Sequence, residues 1–125
     1  MKLSIPAWRD GKQNSLIDVL DALGREEVLS RNWIAQWVEA AGAPGAAREI
    51  EAASDTGTPI SGKHILELAS MGVQLIEGLL MGTSPTGRLS IAVRAVDSTH
   101  WDVEGDKEAL RRFEQRFPGA EVLEE

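Results

Sequence analysis

The stretch AVDSTHWDVEGD, residues 95–106, concentrates the side chains of this chain that could do chemistry. Within ten positions it holds a histidine and several carboxylates: Asp97, His100, Asp102, Glu104 and Asp106. Imidazole and carboxylate groups at such spacing can ligate a metal ion or act as general acid and base. If the segment is a strand, His100, Asp102 and Glu104 lie on one face, because side chains alternate along a strand.

The metal interpretation of this segment fails on its ligand set. In a calcium loop that began at Asp97, the fifth position would be Trp101, and the sixth, which requires glycine, would be Asp102. The solvated face of a β-hairpin explains the cluster better, since antiparallel sheets commonly keep one wet face. We therefore predict no metal here, and we expect a protein partner to contact one set of side chains: Asp97, His100, Asp102 and Glu104.

The rest of the chain adds no catalytic motif. His64 and Glu67 would share a face of a predicted helix, but di-iron bundles use the order Glu-x-x-His twice, and here it is reversed and occurs once. The absence of cysteine excludes disulfides and thiolate chemistry. No G-x-S-x-G elbow or P-loop occurs, and GTSPTG at 82–87 lacks the lysine of a P-loop. The sequence predicts no catalytic residue, no metal and no cofactor.

The charge of the chain restricts the class of partner. Thirteen basic and 20 acidic residues give a net charge of −7, and the isoelectric point is about 4.8. Both halves are acidic, which disfavours nucleic acid and anionic membrane surfaces and favours a basic protein partner. The N-terminus lacks the apolar run of a signal peptide, and no stretch approaches about 18 apolar residues, so we expect a cytoplasmic protein.

Three short segments have sequence patterns that indicate regular secondary structure. Residues 15–23 are predicted to form a helix that Ser15 caps and Gly24 ends. Residues 46–53 favour a second short helix. Residues 32–41 fit both a strand and a helix, because their apolar side chains satisfy both periods.

Residues 61–80 have the clearest helical pattern of the chain. Their apolar side chains fall on one broad stripe, so the sequence predicts one long central helix with Ser61 as its N-cap. Gly72 and Gly78 would weaken this helix by about 1 kcal/mol each relative to alanine. The usual compensation for such glycines is close packing of another backbone.

The last third of the chain predicts a hairpin, a helix and an edge strand. Residues 88–96 alternate as a strand, and residues 101–103 form its return, with Trp101 inward. Asp106 is the expected N-cap of a helix whose inner face carries Leu110, Phe113 and Phe117. The end of the chain, AEVLEE, could add an edge strand. Together these elements predict a single α+β domain over 1–125, with a small, mainly antiparallel sheet packed against helices that include the long central one.

Several phrases of the chain resemble a loose group of small bacterial proteins of about 125 residues with no known activity: WVEA at 37–40, PISGxxILELA at 59–69, QLIEG at 74–78 and IAVRAVDS at 91–98. The resemblance extends from residue 33 to residue 117. It implies β structure near 33–40, which favours the strand interpretation of residues 32–41. The group tends to have a polar or aromatic pair after QxI[DE]G, where this chain has Leu79 and Leu80.

The sequence leads to two functional hypotheses. The first is a non-enzymatic acidic binding protein, of inhibitor or immunity type, whose hairpin face binds a basic protein. The alternative is an enzyme or small-ligand-binding protein with a carboxylate-lined pocket between the sheet and the long helix, formed by Gln74, Glu77 and Arg94. Three tryptophans are expected in the core or at its rim, namely Trp33, Trp37 and Trp101, whereas Trp8 either pins the N-terminal segment or is an exposed anchor.

Overall fold

The computed structural model describes residues 1–85 and 90–125, which form helices and two antiparallel sheets. The strands are β1 Lys2–Pro6, β2 Trp8–Arg9, β3 Lys12–Gln13, β4 Asn32–Ala41, β5 Ile60–Ser61, β6 Gln74–Thr83, β7 Ser90–Val96, β8 His100–Glu104 and β9 Glu121–Glu124. The helices are α1 Leu16–Leu23, α2 Arg25–Leu29, α3 Pro44–Thr56, α4 Gly62–Ser70 and α5 Arg111–Arg116. Seven strands form one sheet in the order β5-β4-β6-β7-β8-β1-β9, and β2 pairs with β3. The predicted single α+β domain with an antiparallel sheet is confirmed.

The core lies between one face of the large sheet and the helices. A row of paired side chains crosses the sheet on this face, and each is at most 1% exposed: Ala35, Leu80, Val93, Val103 and Leu3. The helices contribute apolar side chains to the same cluster, among them Leu16, Leu20, Leu23, Ile65 and Phe113. Burial of this apolar surface is the main source of stability for a domain of this size.

Most of the helices and strands that local sequence patterns predict are confirmed. The backbone N–H and the hydroxyl of Ser15 both donate to Asp18 Oδ2 at 2.9 Å, which secures the start of α1. Residues 32–41 are a strand, and the hairpin of β7 and β8 places Trp101 in the core. The predicted strand over 88–96 is described from Ser90, and its first residues, together with the end of GTSPTG, lie outside the described residues.

The predicted long helix over 61–80 is wrong in its second half. The helix that Ser61 caps ends at Ser70, and Gly72 has a φ of 97° that breaks it. Residues 74–83 instead form β6, the strand between β4 and β7. Leu80 faces the core, whereas Leu79 and Met81 lie half-buried on the other face. Because both faces of β6 carry apolar residues, its sequence resembles the wide stripe of a buried helix.

The helix expected from Asp106 begins later than the sequence suggests. Asp106 Oδ1 accepts a hydrogen bond from the Ala109 backbone N–H at 2.7 Å, and a turn follows before α5 starts at Arg111. Leu110 precedes the helix in a non-helical conformation, with φ of −96° and ψ of 3°. In the described parts of the chain, no helix is long and apolar enough to cross a membrane.

Strand β4 pairs with β5 over only a short part of its edge, and helix α3 covers the edge beyond that part. Ser54 Oγ accepts from the Val38 N–H, and Glu51 Oε2 accepts from the Ala40 N–H, both at 3.1 Å. These side chains satisfy backbone donors that would otherwise form an open edge. The sheet is thereby closed to further pairing along this part of β4.

Neighbouring leucines on β6 should respond differently to truncation. Leu80 is 0% exposed, so Leu80→Ala should lower the free energy of unfolding by about 2–5 kcal/mol. Leu79→Ala, on the half-buried face, should cost no more than about 1 kcal/mol. Urea denaturation of both variants measures the difference, and similar losses for the two would contradict the strand alternation of β6.

Candidate binding face

The face of the large sheet opposite the core carries half-buried and exposed side chains, and we call it the open face. Two cross-strand rows make up its centre. One row contains Gln36, Leu79, Arg94, Asp102 and Ser4, and the other contains Ile34, Met81, Ala92, Glu104 and Lys2. This mixture of apolar and charged groups follows from the alternation of each strand, because the same strands direct their other side chains into the core.

A β-bulge places a tryptophan beside this face. The pairs Gln36–Leu79 and Glu39–Glu77 enclose an irregularity between β4 and β6, and a second shift of register follows between Glu39 and Ala40. Trp37 and Val38 together therefore oppose the single residue Gly78, and the extra residue reverses the alternation of β4. Trp37 has a φ of 53° and a side chain that is 77% exposed. A bulky residue in this left-handed region is an outlier that surrounding structure must impose.

Gly78 makes the bulge sterically possible. A Cβ at this position would lie 2.9 Å from Val38 Cγ2 and 3.0 Å from Val38 Cα. Gly78 also has a φ of 144°, which side-chain-bearing residues rarely adopt. The close backbone packing expected for Gly78 from the sequence therefore occurs, although between strands rather than between helices.

A cavity of about 220 Å³ opens on this face next to Trp37. Its lining contains apolar groups from β6 and β7 and charged groups from four strands: Lys2, Trp37, Glu77, Gly78, Leu79, Met81, Ala92, Arg94, Asp102 and Glu104. An aromatic ring, an apolar patch and carboxylates in one concave site suit a ligand that has both an apolar stem and a positive charge.

Two carboxylates of the cavity are incompletely satisfied. Glu77 Oε2 and Asp102 Oδ1 are shielded from solvent and have no hydrogen-bond partner among the described residues. Asp102 Oδ1 lies 3.7 Å from His100 Nε2, which is too far for a hydrogen bond. Arg94 stands directly opposite Asp102 in the register, yet the described residues contain no ion pair between them. An unsatisfied buried polar atom costs about 1–3 kcal/mol, so a cationic donor bound beside these carboxylates would offset that cost.

The structure brings three of the four expected partner-contact residues onto the open side of β8. Asp102 and Glu104 line the cavity, and His100 lies two residues before Asp102 on the same side. His100 Nδ1 is 2.8 Å from Thr99 Oγ1, a contact within the turn. Asp97 lies apart from them, exposed in the turn with a φ of 47°.

The pocket expected between the sheet and a long helix lies elsewhere. Because residues 74–83 are a strand, Glu77 and Arg94 border the cavity of the open face rather than a helix. Gln74 is not part of this lining and contributes to a separate small cavity with Trp8 and His100. The expected trio of Gln74, Glu77 and Arg94 is therefore divided between two sites.

Two further groups that the sequence singles out have structural outcomes. His64, whose pairing with Glu67 as a metal site the sequence disfavours, contacts the Glu49 carboxylate of α3 through its Nε2. Trp33 and Trp101 are buried as expected, and Trp8 is exposed, but Trp37 is not in the core. Sequence reasoning missed Trp37 because strand alternation groups it with Trp33, and only the bulge separates them.

The described residues form an α+β domain with one helix-covered face and one open face, and the open face bears an exposed aromatic ring and a small charged cavity. Comparison of the chain with protein families, curated proteins and solved structures found no match. The geometry of the open face is therefore the basis for a functional assignment.

Replacing Trp37 should not destabilise the protein. Asn tolerates the left-handed conformation better than Trp, so Trp37→Asn should leave the free energy of unfolding unchanged or raise it by up to about 1 kcal/mol. The matched change Trp33→Asn, at a buried site, should lower it by at least about 3 kcal/mol. Urea denaturation compares the two, and a loss above about 1 kcal/mol for Trp37→Asn would assign Trp37 a structural role instead.

Proposed function

We propose that the protein is a non-enzymatic binding protein, of inhibitor or immunity type, whose open face binds a basic protein partner. The observation that carries the proposal is Trp37, which is 77% exposed in a backbone conformation that disfavours it. Tryptophan is enriched among the residues that dominate binding energy at protein interfaces. A conformational cost maintained at an exposed residue is characteristic of functional sites.

The charge of the protein supports a basic partner. The net charge of −7 attracts positively charged proteins and accelerates their encounter. Asp102 and Glu104 add local carboxylates to the lining of the cavity. Lys2 and Arg94 lie among them, so the open face would select a partner by its charge pattern as well as by its net charge.

An arginine or lysine side chain of the partner is the occupant that best suits the cavity. The volume of about 220 Å³ is below the roughly 300–1,000 Å³ of small-molecule pockets. Leu79 and Met81 would pack against the aliphatic stem, and the indole face of Trp37 would attract the charged end. Charge-assisted hydrogen bonds to Glu77 and Asp102 would complete the contact.

A pair of small probes tests the cavity. N-acetyl-arginine amide should bind roughly tenfold more tightly than the neutral isostere N-acetyl-citrulline amide, because only the former makes charge-assisted hydrogen bonds. Trp8→Phe leaves Trp37 as the exposed tryptophan, so its fluorescence reports binding. In the Trp37→Ala variant, where amide chemical shifts report binding, the two probes should bind with equal affinity. Equal affinity for the two probes would refute a cation site.

Capture of the partner from a lysate of the source organism tests the proposed function itself. The variant Asp102→Asn with Glu104→Gln should retain much less partner than wild type, with the difference largest at low salt. Asp21→Asn with Glu67→Gln is the matched control, since it removes the same charge from exposed positions on helices. Equal retention by both double variants would contradict binding through the open face.

A further inference from the structure

Three cations of this acidic protein line one cavity. Arg9 and Lys12 extend from the β2–β3 hairpin, and Arg116 extends from the last turn of α5. All three are exposed, and the described residues provide no ion pair or hydrogen bond to any of their side chains. We call these residues the basic corner.

The hairpin that carries two of these cations is held firmly to the domain. Asp10 and Gly11, with φ values of 52° and 77°, form its turn. Asn14 fixes its far end, because its backbone N–H donates to Ala7 O at 2.7 Å and its side-chain amide donates to Pro6 O at 2.8 Å. The buried Trp101 donates from its indole nitrogen to Asn14 O at 2.9 Å. The cations are therefore displayed on an anchored support.

The arrangement of the hairpin is unfavourable for the free protein. Arg9 and Lys12 are directly opposite each other in the register. Like charges at directly opposed positions repel and destabilise a strand pair. An anion bound between the two would convert this repulsion into attraction.

A cavity of about 440 Å³ lies between the cations. Arg9, Lys12 and Arg116 line it together with Asn14 and Phe117, and Asp10 is the one acidic residue of the lining. Gly119 provides room for the Arg9 guanidinium, since a Cβ there would lie 3.3 Å from its Nη1. Glu121 and Asp102 border an adjoining cavity that Arg9 also lines. The lining thus has an excess of positive charge within a strongly acidic chain.

We propose that the basic corner binds a phosphate group. A phosphate carries about 1.5 negative charges or more near neutral pH and offers at least three strong acceptor oxygens, whereas a carboxylate carries one charge. The planar guanidinium groups of Arg9 and Arg116 match phosphate oxygens in pairs, and Lys12 adds a compact charge. The three cations of this site are not part of the lining of the open-face cavity.

Titration of the intact protein with inorganic phosphate, followed by amide and arginine side-chain NMR signals, tests the site. At constant ionic strength, saturable shifts should appear at Gly11, Lys12 and Gly119. Arg9→Gln with Lys12→Gln should weaken binding at least about tenfold, the effect of losing one or more charge-assisted hydrogen bonds. Phosphoserine in place of inorganic phosphate should bind through the same signals, and it shows whether the site accepts a phosphate carried on an organic group.

Matched controls make the result decisive. Arg48→Gln removes an exposed cation from α3 and should leave phosphate affinity unchanged. The single change Arg116→Gln, distant from the hairpin turn in sequence, should also weaken binding while the spectrum shows an intact fold. Unsaturable shifts, equal binding of acetate, or equal weakening by Arg48→Gln would overturn the proposal. Binding of N-acetyl-arginine amide to the open face should be the same in all these variants.

Discussion

The two-residue period of β6, paired between β4 and β7, determines which side chains reach the core and which reach the open face. The Leu80 side chain points toward the helices, and the side chains of Leu79 and Met81 point away from them. Strands paired in register share this alternation, so the rows that contain Leu80 and Leu79 continue across β7, β8 and β1. A one-residue slip would exchange the faces and expose the core. The register of this strand therefore determines both the open face and the core face of the sheet.

The bulge at Trp37 interrupts that register, a second shift follows it between Glu39 and Ala40, and the candidate site depends on the first of the two. Trp33 and Ala35 follow the alternation of β4 into the core, and the extra residue then turns Trp37 outward. The partner strand contributes Gly78, the residue without a side chain at the point of closest approach. An aromatic group on one strand thus depends on a glycine on its neighbour. The pairing of the bulge with Gly78 explains how a sheet with one face buried against helices also exposes a large aromatic ring.

Local signals account for the parts of the fold that the sequence predicts correctly. Ser15 and Asp18 mark the start of α1 within four residues, and the alternation around Trp101 identifies β8. The sequence of β6 resembles a helix because its apolar residues serve two faces, and one of its partner strands, β4, lies far earlier in the chain. The outward turn of Trp37 has no local signal either, since it arises from pairing with Gly78. Of the candidate cavity, the sequence identified Asp102 and Glu104 by their spacing, but not the aromatic beside them.

Strand β8 connects the open face with the basic corner. Trp101 points inward from it and holds the hairpin through its hydrogen bond to Asn14 O. Its neighbour Asp102 points outward and lines the cavity of the open face. The two surfaces therefore depend on one strand, and the net charges of their cavity linings differ in sign: carboxylates outnumber cations at the open face, and cations outnumber carboxylates at the basic corner. Because exposed charges are screened over about 10 Å in salt, such opposite patches can coexist on one small domain and select different ligands.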